Sequence, residues 1–182
     1  MPSVIVPLAQ GCEELEAVTI IDLLRRAGVS VVTVGLDGEA ITASRGVRLL
    51  PDKSIDDVID DEFDMIVLPG GLPGADHLNE DPRIHTLLER IKHQNGFTAA
   101  ICAAPKVLAT AGLLDGCTVT AYPGVLDAVE LPDSKVSGAA VEIDGKVITS
   151  RGPGTAMDFA LNLIEQLLGE EKRQEVEAAL VR

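Results

Sequence analysis

What most restricts the fold of this chain is an alternation that runs its whole length. Short apolar runs rich in β-branched residues are each followed by a segment with helical spacing. Residues 4–8, 31–35, 65–68, 98–101, 118–121 and 147–149 read as strands, and residues 13–27, 82–92, 105–113 and 156–168 as helices. The strand runs are apolar almost throughout rather than at every second position, the pattern of strands covered on both faces. A mostly parallel sheet with helices above and below satisfies both observations, so the expected class is α/β, doubly wound. In the last of these helices Ala156, Phe159, Ala160, Leu163, Ile164 and Leu167 share one stripe, and Gly169 supplies a stop. Two short hairpins are also expected: residues 40–41 with 47–50, and residues 140–143 with 147–149 turning at Asp144-Gly145. A chain of 182 residues can bury a core of its own, and no repeat or linker divides it, so residues 1–182 form one expected domain.

Charge and composition narrow the partners. Against 29 acidic side chains stand 15 basic ones, a net charge of −14, with one Tyr, three Phe and no Trp. Such a surface repels a phosphate backbone and has almost nothing on which bases can stack, so nucleic-acid strands are not expected ligands. The longest apolar stretch, residues 98–114, is broken by Lys106 and is too short to span a bilayer. The first residues have no basic segment ahead of the apolar run, so a cytoplasmic location is expected. Cys12, Cys102 and Cys117 are odd in number and lack close pairing, against a disulfide framework or a zinc cage. His77, His85 and His93 recur every eight residues without the i, i+4 partner of a helical metal site, so no metal is expected. The seven acids and one Lys of residues 52–64 read as a solvated face.

In an open α/β sheet, ligands sit beyond the carboxyl ends of the strands, which directs attention to three loops. One opens a helix with Gln10-Gly11-Cys12-Glu13-Glu14-Leu15-Glu16; another is Gly70-Gly71-Leu72-Pro73-Gly74; the third is Cys102-Ala103-Ala104-Pro105. A Cys at a strand-to-helix turn is the thiol counterpart of the serine nucleophile elbow, and the helix end favours its thiolate. The competing possibility is a small hydrophobe in the core. Gly70 and Gly71 let the backbone approach a ligand and aim an N–H at an oxyanion, or else form a plain tight turn. They do not match the dinucleotide G-x-G-x-x-G pattern. Of Glu13, Glu14 and Glu16, helix capping accounts for two. The inward-facing one of 13 and 16 would be a buried carboxyl with a raised pKa, able to shuttle a proton.

Taken in order, VIVPLAQGCEELEAV, LLRRAGV, ASRGV, LLPD, IVLPGG, AAICAAP and TSRGPGTAMDFAL resemble the DJ-1/PfpI superfamily. Within it they are similar to the branch of the Parkinsonism-associated protein deglycase and its bacterial YajL-like relatives. The resemblance implies a flavodoxin-like three-layer sandwich, a homodimer and no cofactor. It also implies that Cys102 is an oxidation-prone nucleophile hydrogen-bonded to a protonated Glu16, with Gly70, Gly71 and Ala103 forming an anion pocket. Arg26 and Arg45 match family arginines near that pocket and the dimer interface. Tyr122 stands where many relatives have a histidine; it can donate a hydrogen bond but is not a base near neutral pH, leaving acid–base work to Glu16. Ala103 follows the nucleophile where protease-like relatives carry His, which demotes an amidase or peptidase activity.

The expected function is therefore that of a cysteine-dependent glyoxalase or protein deglycase acting on methylglyoxal, small carbonyls or glycated proteins. The alternative is a non-enzymatic redox sensor and chaperone built on the same Cys102.

Overall fold

The computed structural model describes residues 1–182. Its strands are β1 (Ser3–Leu8), β2 (Ser30–Gly35), β3 (Ile41–Thr42), β4 (Arg48–Leu49), β5 (Lys53–Ser54), β6 (Met65–Leu68), β7 (Phe97–Ile101), β8 (Thr118–Val119), β9 (Lys135–Val136), β10 (Val141–Asp144) and β11 (Val147–Ser150). The helices are α1 (Glu14–Arg26), α2 (Gly74–Glu80), α3 (Pro82–His93), α4 (Pro105–Thr110), α5 (Ala156–Leu168) and α6 (Glu170–Ala179). Seven strands form one sheet in the order β10-β11-β7-β6-β1-β2-β5, parallel except where β10 and β11 make a hairpin.

Strand residues alternate between two cores, as the period of two requires. Val4, Val6 and Leu8 of β1 and Met65 and Val67 of β6 meet α1 and α5 on one face. Ile5, Ile66 and Leu68 meet α2, α3 and α4 on the other. The result is an α/β sheet covered on both faces, as the alternation of runs implied, in the three-layer, flavodoxin-like form that the resemblance implied. No helix is long and apolar enough to cross a membrane.

Two expected elements differ. The run at 118–121 is a strand only at Thr118–Val119, and it pairs with β9 outside the central sheet. Beyond it the amides go elsewhere: Thr120 N–H donates to the Thr149 hydroxyl and Tyr122 N–H to the Cys102 carbonyl. The helix expected to reach residue 113 ends at Thr110, because Gly112 takes φ +66°. The acidic run is not a bare face either. Asp52 accepts from the N–H and hydroxyl of Thr33 and pairs with Arg25, Asp56 pairs with Arg83, and Asp64 accepts from Ser3 N–H. The two short hairpins form as β3–β4 and β10–β11, the second turning at Gly145 with φ +59°.

The stripe on α5 is buried as its spacing requires, with Phe159 wholly inaccessible in the core shared with α1. Phe159→Ala should lower the unfolding free energy by about 3–5 kcal/mol. Urea titration followed by circular dichroism checks this, and a loss below roughly 1 kcal/mol would mean that the α1–α5 layer is not part of the cooperative core.

Candidate active site

Parallel strands end on one side of the sheet, and β6 lies between β1 and β7. The three loops singled out in the sequence are therefore neighbours in space. Cys102 follows β7 directly and sits in the left-handed region at φ +63°, a conformation that costs a non-glycine residue on the order of 1 kcal/mol or more. Its backbone is pinned on both sides: its N–H donates to the Ser150 carbonyl and its carbonyl accepts from Tyr122 N–H, each at 2.9 Å. The side chain is thereby turned out of the strand while staying 8% exposed. This is the elbow expected from the sequence, and its strain is held by β11 and the segment after β8.

Three glutamates in one helical turn do three different things. Glu13 caps α1, its carboxylate accepting from Glu16 N–H at 2.8 Å, while its own N–H donates to the Gly70 carbonyl at 2.9 Å. Glu14 accepts from the Ser44 hydroxyl at 3.0 Å and from the N–H groups of Arg45 and Val47 at 2.9 and 3.4 Å, so it clamps the β3–β4 turn. Burial opposes ionisation of Glu14, but these hydrogen bonds hold its carboxyl below the usual carboxylate value. Glu16 points inward and is wholly buried; its Oε2 accepts from Gly70 N–H at 2.8 Å. Its Oε1 has no partner of normal geometry, which leaves it the oxygen to carry a proton beside the adjoining Cys102 thiol.

The glycines are required by contact. A Cβ on Gly70 would lie 2.6 Å from Cys102 Cβ and 2.8 Å from Glu16 Oε2, so the carboxyl and the cysteine meet only across a bare Cα. Gly71 adopts φ +90°, and a Cβ there would reach within 2.4 Å of Glu13 N. The backbone N–H groups of Gly71 and Ala103 lie close enough to the Cys102 sulfur to favour its thiolate.

Burial, then the charge of Glu16 and the hydrogen bond to it, push the Cys102 thiol up to about 12, and those two N–H groups offset this only in part. The expectation that the helix end lowers this pKa is thus corrected: with Glu16 ionised, desolvation and a like charge outweigh two amide donors. Burial likewise pushes Glu16 up to about 7, against hydrogen bonds from Gly70 and Cys102 and with the charge of Glu13 adding to the rise. The pair loses one proton readily and retains the second, so a thiolate forms when Glu16 holds that remaining proton.

The other expected residues are spread more widely. Arg45 reaches the rim through its backbone, donating to Glu14, and its side chain is exposed. Arg26 does not approach the pocket within this chain. It lies ten residues beyond Glu16, roughly 15 Å along α1, and pairs with Asp22 at 2.7 Å. Tyr122 adjoins Cys102 through the backbone and exposes half of its side chain. Sequence reasoning missed Ser150, which fixes the elbow, and Thr155, whose hydroxyl lies 2.7 Å from that of Ser150. Both fall in the TSRGPGT segment, where the only signal was the resemblance itself.

An α/β sandwich with a cysteine elbow against a buried carboxyl and a glycine-amide loop defines the class. The chain belongs to the DJ-1/PfpI family, which it matches over residues 2–166. It is 46% identical over 180 residues to protein dj-1beta of Drosophila melanogaster, covering 98% of this chain and 96% of that one. A glutathione-independent glyoxalase of Caenorhabditis elegans, DJR-1.2, is 39% identical over 163 residues, covering 90% and 87% respectively. Among solved structures, oxidized DJ-1 of Toxoplasma gondii has a TM-score of 0.93 at 40% identity and covers 100% of this chain and 98% of its own.

The folded protein protonates Glu16 at about 7, whereas the unfolded chain does so near 4.5. Between those values the folded state binds the extra proton. The contribution of Glu16 is therefore fully present below pH 4.5 and is lost as pH rises to 7, by roughly 3 kcal/mol. Unfolding free energy measured against pH should show this decline in the wild type relative to Glu16→Gln. The two profiles would run parallel if Glu16 were not buried and proton-bearing.

Proposed function

We propose that the chain is a cofactor-free, cysteine-dependent glyoxalase or protein deglycase acting on methylglyoxal or early glyoxal adducts. The observation that carries this is the buried Glu16 carboxyl against Cys102 across the bare Cα of Gly70. The glyoxalase among its relatives supports the same chemistry. The Glu16 carboxylate takes up the thiol proton, the Cys102 thiolate adds to the aldehyde carbon, and Glu16 returns the proton to the resulting oxyanion, giving a hemithioacetal. The N–H groups of Gly71 and Ala103 stabilise the oxyanion that develops. Glu16 then moves a proton from that carbon to the neighbouring one, giving a thioester, and water releases the hydroxy acid and the thiol. With Cys102 only 8% exposed, a small carbonyl reaches it more readily than a folded glycated protein. Ala103, in place of a histidine beside the nucleophile, supplies no base for amide hydrolysis.

A second reading draws on the same amides. Peroxide converts the thiolate to sulfenate with loss of water, and a further equivalent gives sulfinate, an anion that the Gly71 and Ala103 N–H groups are placed to hold. The oxidized state named for the Toxoplasma gondii relative supports a redox-sensing role.

Lactate release from methylglyoxal separates the two. Cys102→Ser and Glu16→Gln should each reduce kcat/KM by at least about 10²-fold. Wild-type turnover in either variant would sink the enzyme assignment.

We also propose that the chain forms a homodimer through the outer face of α1. Leu15 and Val18 are 51% and 47% exposed there, an apolar pair on an otherwise acidic protein, and Val47 and Leu50 are exposed on the neighbouring hairpin. Val18→Asp should shift the sedimentation coefficient from dimer to monomer. An unchanged value would exclude this face.

A further inference from the structure

A cleft of about 290 Å³ has walls that include Tyr122, Arg151, Gly152, Pro153 and Thr155, next in the chain to the groups that hold the Cys102 backbone. The link to Cys102 runs through the main chain: Tyr122 N–H donates to the Cys102 carbonyl, and Ser150, which precedes Arg151, accepts from Cys102 N–H. The reaction described above makes no use of this space.

Its chemistry follows from three side chains. The Arg151 guanidinium donates to the Gly138 carbonyl at 2.7 Å through one nitrogen and takes part in no ion pair, although acidic side chains outnumber basic ones 29 to 15. The Tyr122 ring packs over Gly152, where a Cβ would stand 3.4 Å from it. The Thr155 hydroxyl is fixed by Ser150 and by Gly152 N–H, so the floor is set in advance. An arginine anchored by one nitrogen, with the rest of its fork unpaired beside an aromatic wall, is suited to a planar carboxylate.

We infer that the cleft between Tyr122 and Arg151 is a subsite for the carboxylate of a carbonyl compound that reacts at Cys102. Oxo acids and carboxylate-bearing glyoxal adducts are then favoured over neutral carbonyls. The inference rests on Cys102 being the attacking group, as proposed above, but its test needs no turnover.

Iodoacetate and iodoacetamide are close in size and differ in charge. Each alkylates a thiolate with loss of iodide, so their rate ratio at a given cysteine reads the local field. Peptide mass analysis gives that ratio at Cys102 and, as an internal reference, at Cys117, which lies beside Asp115 and Asp144. Arg151→Gln should lower the iodoacetate-to-iodoacetamide ratio at Cys102 by roughly three- to fivefold, with the ratio at Cys117 unmoved. Arg151→Lys, which keeps the charge, should retain most of it. An unchanged ratio in Arg151→Gln overturns the inference.

The second readout is optical. Tyr122 is the only tyrosine and there is no tryptophan, so ultraviolet emission reports this cleft alone. Titration with lactate should change it saturably in the wild type and bind several-fold more weakly in Arg151→Gln. Saturation by inorganic phosphate but not by lactate overturns the assignment to a carboxylate. A protein that makes no lactate from methylglyoxal yet shows both effects loses the proposed enzyme activity and keeps the subsite.

Discussion

Everything else at this site depends on one contact, a carboxyl and a thiol held together out of water across a residue with no side chain. Glu16 is wholly buried, Cys102 nearly so, and the Cα of Gly70 is all that fits between them. Two acids in such a place cannot both ionise, because each pushes the other's proton affinity up. What looks like a suppressed nucleophile is a pair that carries one negative charge and one mobile proton. Moving that proton onto the carboxyl places the charge on sulfur, next to the Gly71 and Ala103 amides.

The surrounding architecture serves to keep that contact in place. A cysteine at φ +63° relaxes unless its neighbours prevent it, and here they are Ser150 on β11 and Tyr122 beyond β8. The sheet order supplies the rest. With β6 between β1 and β7, the glycine loop has no route except between the glutamate helix and the elbow. The main-chain amides that face the sulfur are those left unpaired where strands stop and helices have not begun.

Much of this was legible in the chain, for reasons specific to each part. Apolar runs with no alternation can only be strands covered on both sides, and the stripe from Ala156 to Leu167 can only be a buried helix face. α6, which is mostly charged, gave no such signal, and α2 is too short to show a period. The strand at 118 is shorter than its apolar run because its later amides go to a hydroxyl and to the elbow rather than to a ladder. Glu16 and Cys102 stood out because spacing narrowed the inward carboxylate to 13 or 16 and set a cysteine where a strand turns into a helix, and the resemblance then chose Glu16, and the elbow over a core hydrophobe. Ser150 and Thr155 did not, since ordinary hydroxyl residues acquire a role only from their neighbours in space. The direction of the cysteine pKa shift is not legible for the same reason: a helix end is visible in sequence, whereas the degree of burial is not.

The three glutamates at the start of α1 have a consequence for how this loop can change. Glu13 caps the helix and donates its N–H to the Gly70 carbonyl, Glu14 holds the β3–β4 turn, and Glu16 turns to the core and accepts from Gly70 N–H. Successive helical residues differ in direction by about 100°, so one inserted or deleted residue between β1 and α1 would rotate all three assignments together. The loop would still span the gap, but neither Glu14 nor Glu16 would meet its partner. Its length is fixed by angle and not by reach, and point substitutions are the only route by which this part of the sequence can vary without loss of the site.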